Sequence, residues 1–174
     1  MLGYWAIKLA MKMGWIYCSP APKVVTGCGF NVTLGNVLWE MNDEDEFVVP
    51  ERPALEQFRL VDNFYHYKLM PGKMVIGCTT EFAGSNCSFI IPQITRTTFA
   101  LWGCSVGTAA LFGKPGFHSR WALELVNTTH KPIIIYPGWQ IAQVMFSLCY
   151  GGRRYSSLPE VDWRPDVLLP KAMT

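Results

Sequence analysis

Two groups of residues in this chain have the types and spacing for chemistry. The first is Arg96-Thr97-Thr98, which opens the run Phe99 to Gly103. An arginine and two hydroxyls at the start of a helical turn can cradle a phosphate. The guanidinium donates as a bidentate fork, and the first backbone N–H groups of the turn have no partner within it. The second is Glu124, inside the apolar run Trp121-Ala122-Leu123-Glu124-Leu125-Val126. Strand side chains alternate between faces, so if Leu123 and Leu125 face a core, Glu124 faces the other side, which is either solvent or a site. A carboxylate placed there could move protons to and from a reacting group. Two further segments accompany them. Lys114-Pro115-Gly116-Phe117 supplies an aromatic, and Pro137-Gly138-Trp139-Gln140-Ile141-Ala142-Gln143 supplies an amide.

Other chemistries are poorly served. The only histidines are His66, His118 and His130, and no nucleophile triad forms around them, so they read as surface or internally satisfied residues. No Walker loop, no G-x-G-x-x-G and no H-x-E with P-C-x-x-C is present, which argues against a phosphate-binding loop, a dinucleotide fold and a zinc deaminase. Cys18, Cys28, Cys78, Cys87, Cys104 and Cys149 form no C-x-x-C pair, so no metal site is expected. Lysines and arginines number 15 against 13 acids, a balance that predicts no nucleic-acid partner and no membrane surface. The uncharged run Thr97 to Gly113 is shorter than the roughly 20 residues that span a bilayer, and Gly103 and Gly107 interrupt it. Lys8 and Lys12 break the apolar start where an export signal needs a continuous core, so the chain is read as cytoplasmic, with reduced thiols. On that reading the N-x-S/T triplets at Asn31, Asn86 and Asn127 are chance.

These residues need a scaffold. At 174 residues, half of them hydrophobic and 16% charged, the chain is too apolar for disorder and long enough for one domain with a sizeable core. The low charge also suggests surface buried by oligomerisation. Ala6 to Gly14 reads as a short helix, with Ile7, Ala10 and Met11 on one face and Lys8 and Lys12 on the other. Trp15 to Tyr17 is strand-like. Phe30 to Trp39 alternates as a strand with a kink or bulge at Gly35. Asn42 to Glu46 is an acidic solvated turn, and residues 50 to 60 show no period. Strands follow at Tyr65 to Leu69, Lys73 to Thr80, Phe89 to Ile91, Trp121 to Val126, Ile133 to Tyr136 and Ile141 to Phe146. Met70-Pro71-Gly72 and Pro137-Gly138 are turns, because proline presets one dihedral and glycine accepts the positive φ of the next. Thr98 to Gly103 is a helical turn. Many short strands at regular spacing predict a mainly β barrel or jelly roll over residues 1–155, followed by a C-terminal arm over 156–174.

The ordered set of motifs resembles the dCTP deaminase branch of the trimeric dUTPase superfamily. Gly29 to Gly35 resembles the family's "SvDLRLG" segment, and Met70-Pro71-Gly72-Lys73 to Thr80-Glu81 its "PGe…TlE" segment. Arg96 to Gly103 resembles "RSSLARLG", Lys114 to Phe117 "DPGW/F", Leu123 to Asn127 "LElxN", and Pro137 to Phe146 "xpGxxIaQlxF". The resemblance implies a distorted jelly-roll β barrel that forms a homotrimer with active sites between subunits. It implies metal-free deamination of a cytosine deoxynucleotide, dCTP to dUTP, with Glu124 activating the water. Arg96, Thr97, Thr98 and Gln143 inherit phosphate binding, and Phe117 the aromatic beside the nucleoside. Tyr155, with Arg153 and Arg154, faintly echoes a tail that closes over the phosphates. No cofactor belongs to the protein itself, although magnesium could enter with the triphosphate. The branch is argued from Glu124, three residues before Asn127, where dUTPases are usually aliphatic. Lys114 stands where a dUTPase needs an aspartate base, and a lysine cation cannot serve as one. Leu101 stands where the family has a second arginine, and Asn31 where it has an aspartate. The alternatives are therefore a non-catalytic or regulatory nucleotide-binding relative and a dUTPase-type pyrophosphohydrolase.

Overall fold

A computed structural model describes residues 1–43, 48–95, 98–106 and 112–154. The chain opens with helix α1 (Tyr4–Lys12), two residues earlier than its apolar spacing suggests, because the Gly3 carbonyl already accepts from Ile7 N at 3.0 Å. Ile7 and Ala10 face inward from it, and Gly14 closes it with a positive φ of 70° while Trp15 N donates back to Ala10 O at 2.8 Å. Then follow β1 (Ile16–Ser19), β2 (Gly29–Met41), α2 (Ala54–Gln57), β3 (Phe58–Asp62), β4 (Tyr67–Leu69), β5 (Met74–Thr79) and β6 (Phe82–Ser85). The remainder is β7 (Ile90–Thr95), α3 (Thr98–Leu101), β8 (Cys104–Val106), β9 (His118–Ser119), β10 (Ala122–Asn127), β11 (Ile133–Ile135) and β12 (Gln140–Leu148).

The main sheet runs β7-β12-β2-β5-β10-β8, with β3 also on β2; β1-β6-β9 and β11-β4 form smaller sheets. Every strand pair is antiparallel. β2 is long enough to pair with β12 over its first half and with β3 over its second, and its register with β5 shifts between Leu34 and Leu38. That shift is the irregularity expected at Gly35. A bulge increases local twist, and it curls this sheet into a half-barrel. Inside the curl lie Phe30, Val32, Leu34, Leu38, Leu123, Leu125, Val144 and Phe146. A second, smaller cluster of Val37, Trp39, Phe58, Ile76 and Cys78 covers the outward side of β2 and β5.

Several expectations need correction. β7 does not stop at Pro92 but runs through it to Thr95, with Pro92 opposite Phe146. β7 is a terminal strand of its sheet, so the missing N–H breaks no interior ladder. Residues 50–60 are not featureless, since they hold α2 and the start of β3. Strands β6, β8 and β9 were not anticipated. β6 approaches β9 so closely that a Cβ on Gly84 would lie 2.0 Å from Phe117 O, so only glycine fits. Both Pro-Gly turns form, with φ of 71° at Gly72 and 80° at Gly138. Among the described residues no helix is long and apolar enough to cross a membrane. Most of the acidic turn and the C-terminal arm lie outside the described residues.

Candidate active site

Glu124 takes the position its alternation predicts. In β10, Leu123, Leu125 and Asn127 are buried toward the core, while Glu124 is half-buried on the outward side. It lies opposite Ile76 of β5, which in turn lies opposite Trp39 of β2. The carboxylate therefore belongs to the largely apolar outward face that carries Trp39, Ile76 and Cys78. Arg120 was not among the expected site residues and is a cation on that face. Its guanidinium lies beside the Cys78 thiol, and Cys78 is the register partner of Ala122. Burial pushes the Cys78 thiol up, and Arg120 pulls the other way. The sequence signal for Arg120 is its even spacing from Glu124, which sets both on one face of an extended chain.

The end of β10 is locked from inside. Asn127 is fully buried; its Nδ2 donates to Leu69 O at 2.9 Å and Lys131 O at 2.8 Å. Its Oδ1 accepts from Thr129 N at 2.9 Å and Thr129 Oγ1 at 2.8 Å. All of the amide's polar atoms are thus engaged, and the strand that carries Glu124 has one register available.

Gln143 sits elsewhere. In β12 it lies between Thr95 of β7 and Asn31 of β2, and its Nε2 donates to Thr26 Oγ1 at 2.6 Å. It is thus beside the strand end that leads into the Arg-Thr-Thr segment. Arg96 and Thr97 lie outside the described residues, as does Tyr155. Thr98 begins α3 and is exposed. α3 rests on the hairpin between β11 and β12, with Phe99 and Trp139 ring centroids 5.7 Å apart. Leu101 is 82% exposed there. Phe117 packs edge-on against Trp121 with centroids 5.0 Å apart, just before β10. Trp121 is itself fixed by an Nε1 bond to Ala83 O at 3.0 Å.

The registers separate these residues into two groups. Glu124 reaches β2 at Trp39 and Gln143 reaches it at Asn31. At about 3.3 Å per residue, with the bulge taken off, that interval is on the order of 20 Å. A single copy of the chain therefore does not bring Glu124 and Gln143 together.

Glu81, which the sequence marks only as the end of the Thr80-Glu81 motif, is a buried carboxylate. It accepts from Thr33 N at 2.7 Å and Thr33 Oγ1 at 2.9 Å, bracing the end of β2 that neighbours Gln143. Burial, with a smaller contribution from Glu81, pushes the nearby Cys18 thiol up to about 12. Below that pH the sulfur stays protonated, so at pH 8 its thiolate fraction is roughly a thousandfold below that of an unshifted cysteine. Mass spectrometry after iodoacetamide at pH 8 should find Cys18 alkylated far more slowly than a cysteine in a short peptide. Peptide-like labelling would contradict this burial.

A cleft of about 650 Å³ is lined by none of these site residues but by Glu40, Asp43, Gln57, Tyr67 and Lys73 among others, and Phe58 of the outward cluster forms part of its wall. Its polar groups engage one another: Arg59 and Tyr67 donate to Glu40, and Lys73 to Asp43. Burial first, and then Glu40, raise the Tyr67 phenol well above its usual range, so it is no acid or base near neutrality.

A curled antiparallel half-barrel with an outward glutamate before a buried asparagine defines a class, and comparison with known proteins identifies it. Residues 1–149 match the model of the dCTP deaminase-like family, and the chain belongs to that family. It is similar to a protein of Coprothermobacter proteolyticus named "dCTP deaminase, dUMP-forming", 27% identical over 124 residues, or 69% of this chain and 66% of that one. A protein of the same name from Clostridium botulinum (strain Alaska E43 / Type E3) is 31% identical over 119 residues, covering 67% of this chain and 64% of that one. In fold, the chain is similar to the 2'-deoxycytidine 5'-triphosphate deaminase of Agrobacterium tumefaciens. The TM-score is 0.64 at 18% identity, over 85% of this chain and 47% of that one. The chain thus spans about two thirds of these curated relatives' length and about half of the solved one's.

Proposed function

We propose that this protein deaminates a cytosine deoxynucleotide, converting dCTP to dUTP, with Glu124 as the proton-transferring residue. In this reaction water adds to C4 of the base and ammonia leaves. Glu124 accepts the proton of the attacking water and passes it to the departing amine, so the carboxylate ends as it began. The observation that carries the reading is the placement of Glu124 on the outward face of β10, in a chain of the dCTP deaminase-like family. An outward carboxylate on a largely apolar face is accessible to a base yet partly shielded from water.

Phosphates are assigned to Arg96, Thr97, Thr98 and Gln143, with Tyr155 beyond them and Phe117 beside the nucleoside. Magnesium would enter only with the triphosphate. The wide interval between Glu124 and Gln143 supports an assembled site, in which one subunit supplies the glutamate and a neighbour the anion cradle. A homotrimer is the assembly proposed. Light scattering that finds a monomer at micromolar concentration would remove the shared site. Replacing Arg96 with alanine should weaken nucleotide binding roughly 10- to 150-fold, the loss of one charge-assisted hydrogen bond. Unchanged affinity by calorimetry would mean the cradle is misplaced.

A second reading comes from the relatives named "dUMP-forming", which adds release of pyrophosphate. Lys114, standing where the resemblance expects an aspartate, weighs against that second hydrolysis. The deciding experiment incubates the protein with dCTP, CTP, dCMP and dUTP and measures ammonia, pyrophosphate and nucleotide products. Ammonia with dUTP supports the first reading, and ammonia with dUMP and pyrophosphate the second. Nucleotide binding without ammonia from any substrate would leave a non-catalytic relative, and pyrophosphate from dUTP alone a phosphohydrolase.

A further inference from the structure

Helix α1 is apolar on both sides. Ile7 and Ala10 enter the core, but Trp5, Leu9 and the following Met13 recur every fourth residue on the outward side, 81%, 57% and 51% exposed. Lys8 and Lys12 are exposed on the same side, and Lys8 Nζ lies 5.4 Å from the centroid of the Tyr4 ring. A helix that needed only solvent there would carry polar residues at these positions.

The chain near both ends of α1 extends the same surface. Leu2 N donates to Phe146 O at 2.7 Å, which sets the start of the helix beside the end of β12, where Leu148 and then Tyr150 are exposed. At the other end Trp15 meets Phe89 edge-on at 5.0 Å, and Trp15 O accepts from Asn86 N at 2.7 Å. Arg154 donates to the side chain of Asn86. Lys8, Lys12, Arg153 and Arg154 thus border an exposed apolar strip, and no Asp or Glu occurs in residues 1–39, 82–123 or 125–159. Such a surface is complementary to an occupant both apolar and acidic.

The chain contains such a segment. Residues 156–174 include Leu158, Val161, Trp163, Val167, Leu168 and Leu169, together with three acids, Glu160, Asp162 and Asp166, against two cations, Arg164 and Lys171. The path to it leaves Arg154, which is one hydrogen-bonded residue, Asn86, away from Trp15 at the end of α1. A helix of nine residues is about 14 Å long, whereas ten residues of extended chain reach about 33 Å. The segment is therefore long enough to traverse the whole outward stripe from that exit. We propose that the outward face of α1 is the docking surface for this chain's own residues 156–174, with its apolar side chains on Trp5, Leu9 and Met13 and its acids beside Lys8 and Lys12.

Hydrogen exchange read by mass spectrometry on the full chain tests this. Amides of residues 156–174 should exchange at least about tenfold more slowly than in an unstructured peptide. A Trp5→Ser/Leu9→Ser variant should lose that protection while β10 and β12 keep theirs, which controls for folding. Lys8→Glu/Lys12→Glu should also lower it, and adding Asp162→Lys/Asp166→Lys to that variant should restore it. Exchange at peptide rates in the wild-type chain would overturn the proposal, as would protection indifferent to the α1 substitutions. Protection that grows with protein concentration would assign the face to a second copy. Protection that appears only with dCTP would assign the segment to the nucleotide site. Either of these results would also overturn it.

Discussion

Replacing Glu124 with glutamine should lower deamination about 10²- to 10⁴-fold and leave nucleotide binding nearly unchanged. Glutamine has almost the same shape but cannot take the water's proton. The substitution should not disturb the fold, because β10 is held by Leu123, Leu125 and Asn127 on its other face. Circular dichroism and melting temperature should therefore match the wild type. Activity and affinity must be measured on the same preparation, with dCTP in the activity assay. Deamination that survives the substitution would eliminate the proposed mechanism even if the family and the assembly hold. Equal loss of rate and affinity would instead make Glu124 a binding residue, because an interaction made only in the transition state alters rate alone.

The second large effect is expected at Asn127, and it concerns stability. Alanine there leaves Leu69 O and Thr129 N–H without their side-chain partner at a position with no exposure, while Lys131 O keeps the Thr129 hydroxyl at 2.7 Å. A buried polar group left unsatisfied costs about 1–3 kcal/mol. Some of this loss will be recovered by water, so the expected destabilisation is about 2–4 kcal/mol, at the upper end of what single substitutions do. For a domain of this size that is a fall of roughly 4–16 °C in Tm, measurable by calorimetry. Aspartate should do little better, since it would set a carboxylate against two carbonyl oxygens while keeping only the acceptor to Thr129. A loss below about 1 kcal/mol would mean that the loop after β10 is not pinned by this amide.

Much of the scaffold was readable because it follows local rules. The Pro-Gly turns at Gly72 and Gly138 follow from two dihedral preferences. The outward direction of Glu124 follows from alternation, and the bulge in β2 from a glycine within a strand pattern. β6 was not readable, because Phe82-Ala83-Gly84-Ser85 is fully buried and lacks alternation, and its glycine answers to Phe117 far along the chain. β9 is two residues long and exists only through β6. Extension of β7 through Pro92 depended on its place as the last strand of the sheet, where Pro92 lacks only an N–H and still offers its carbonyl to Gly113 N at 2.9 Å.

The candidate site divides in the same way. Residue types and their order along the chain determined the family and the outward carboxylate on β10, because these are carried by short motifs. Tertiary structure alone decided that Gln143 neighbours the strand leading into the Arg-Thr-Thr segment, that Arg120 lies beside Cys78, and that Glu81 is buried against Thr33. It alone set Glu124 and Gln143 at opposite ends of β2. The reason is that strand register is fixed by side chains packed across the curl, between residues far apart in the chain. No window of the sequence contains both sides of such a contact.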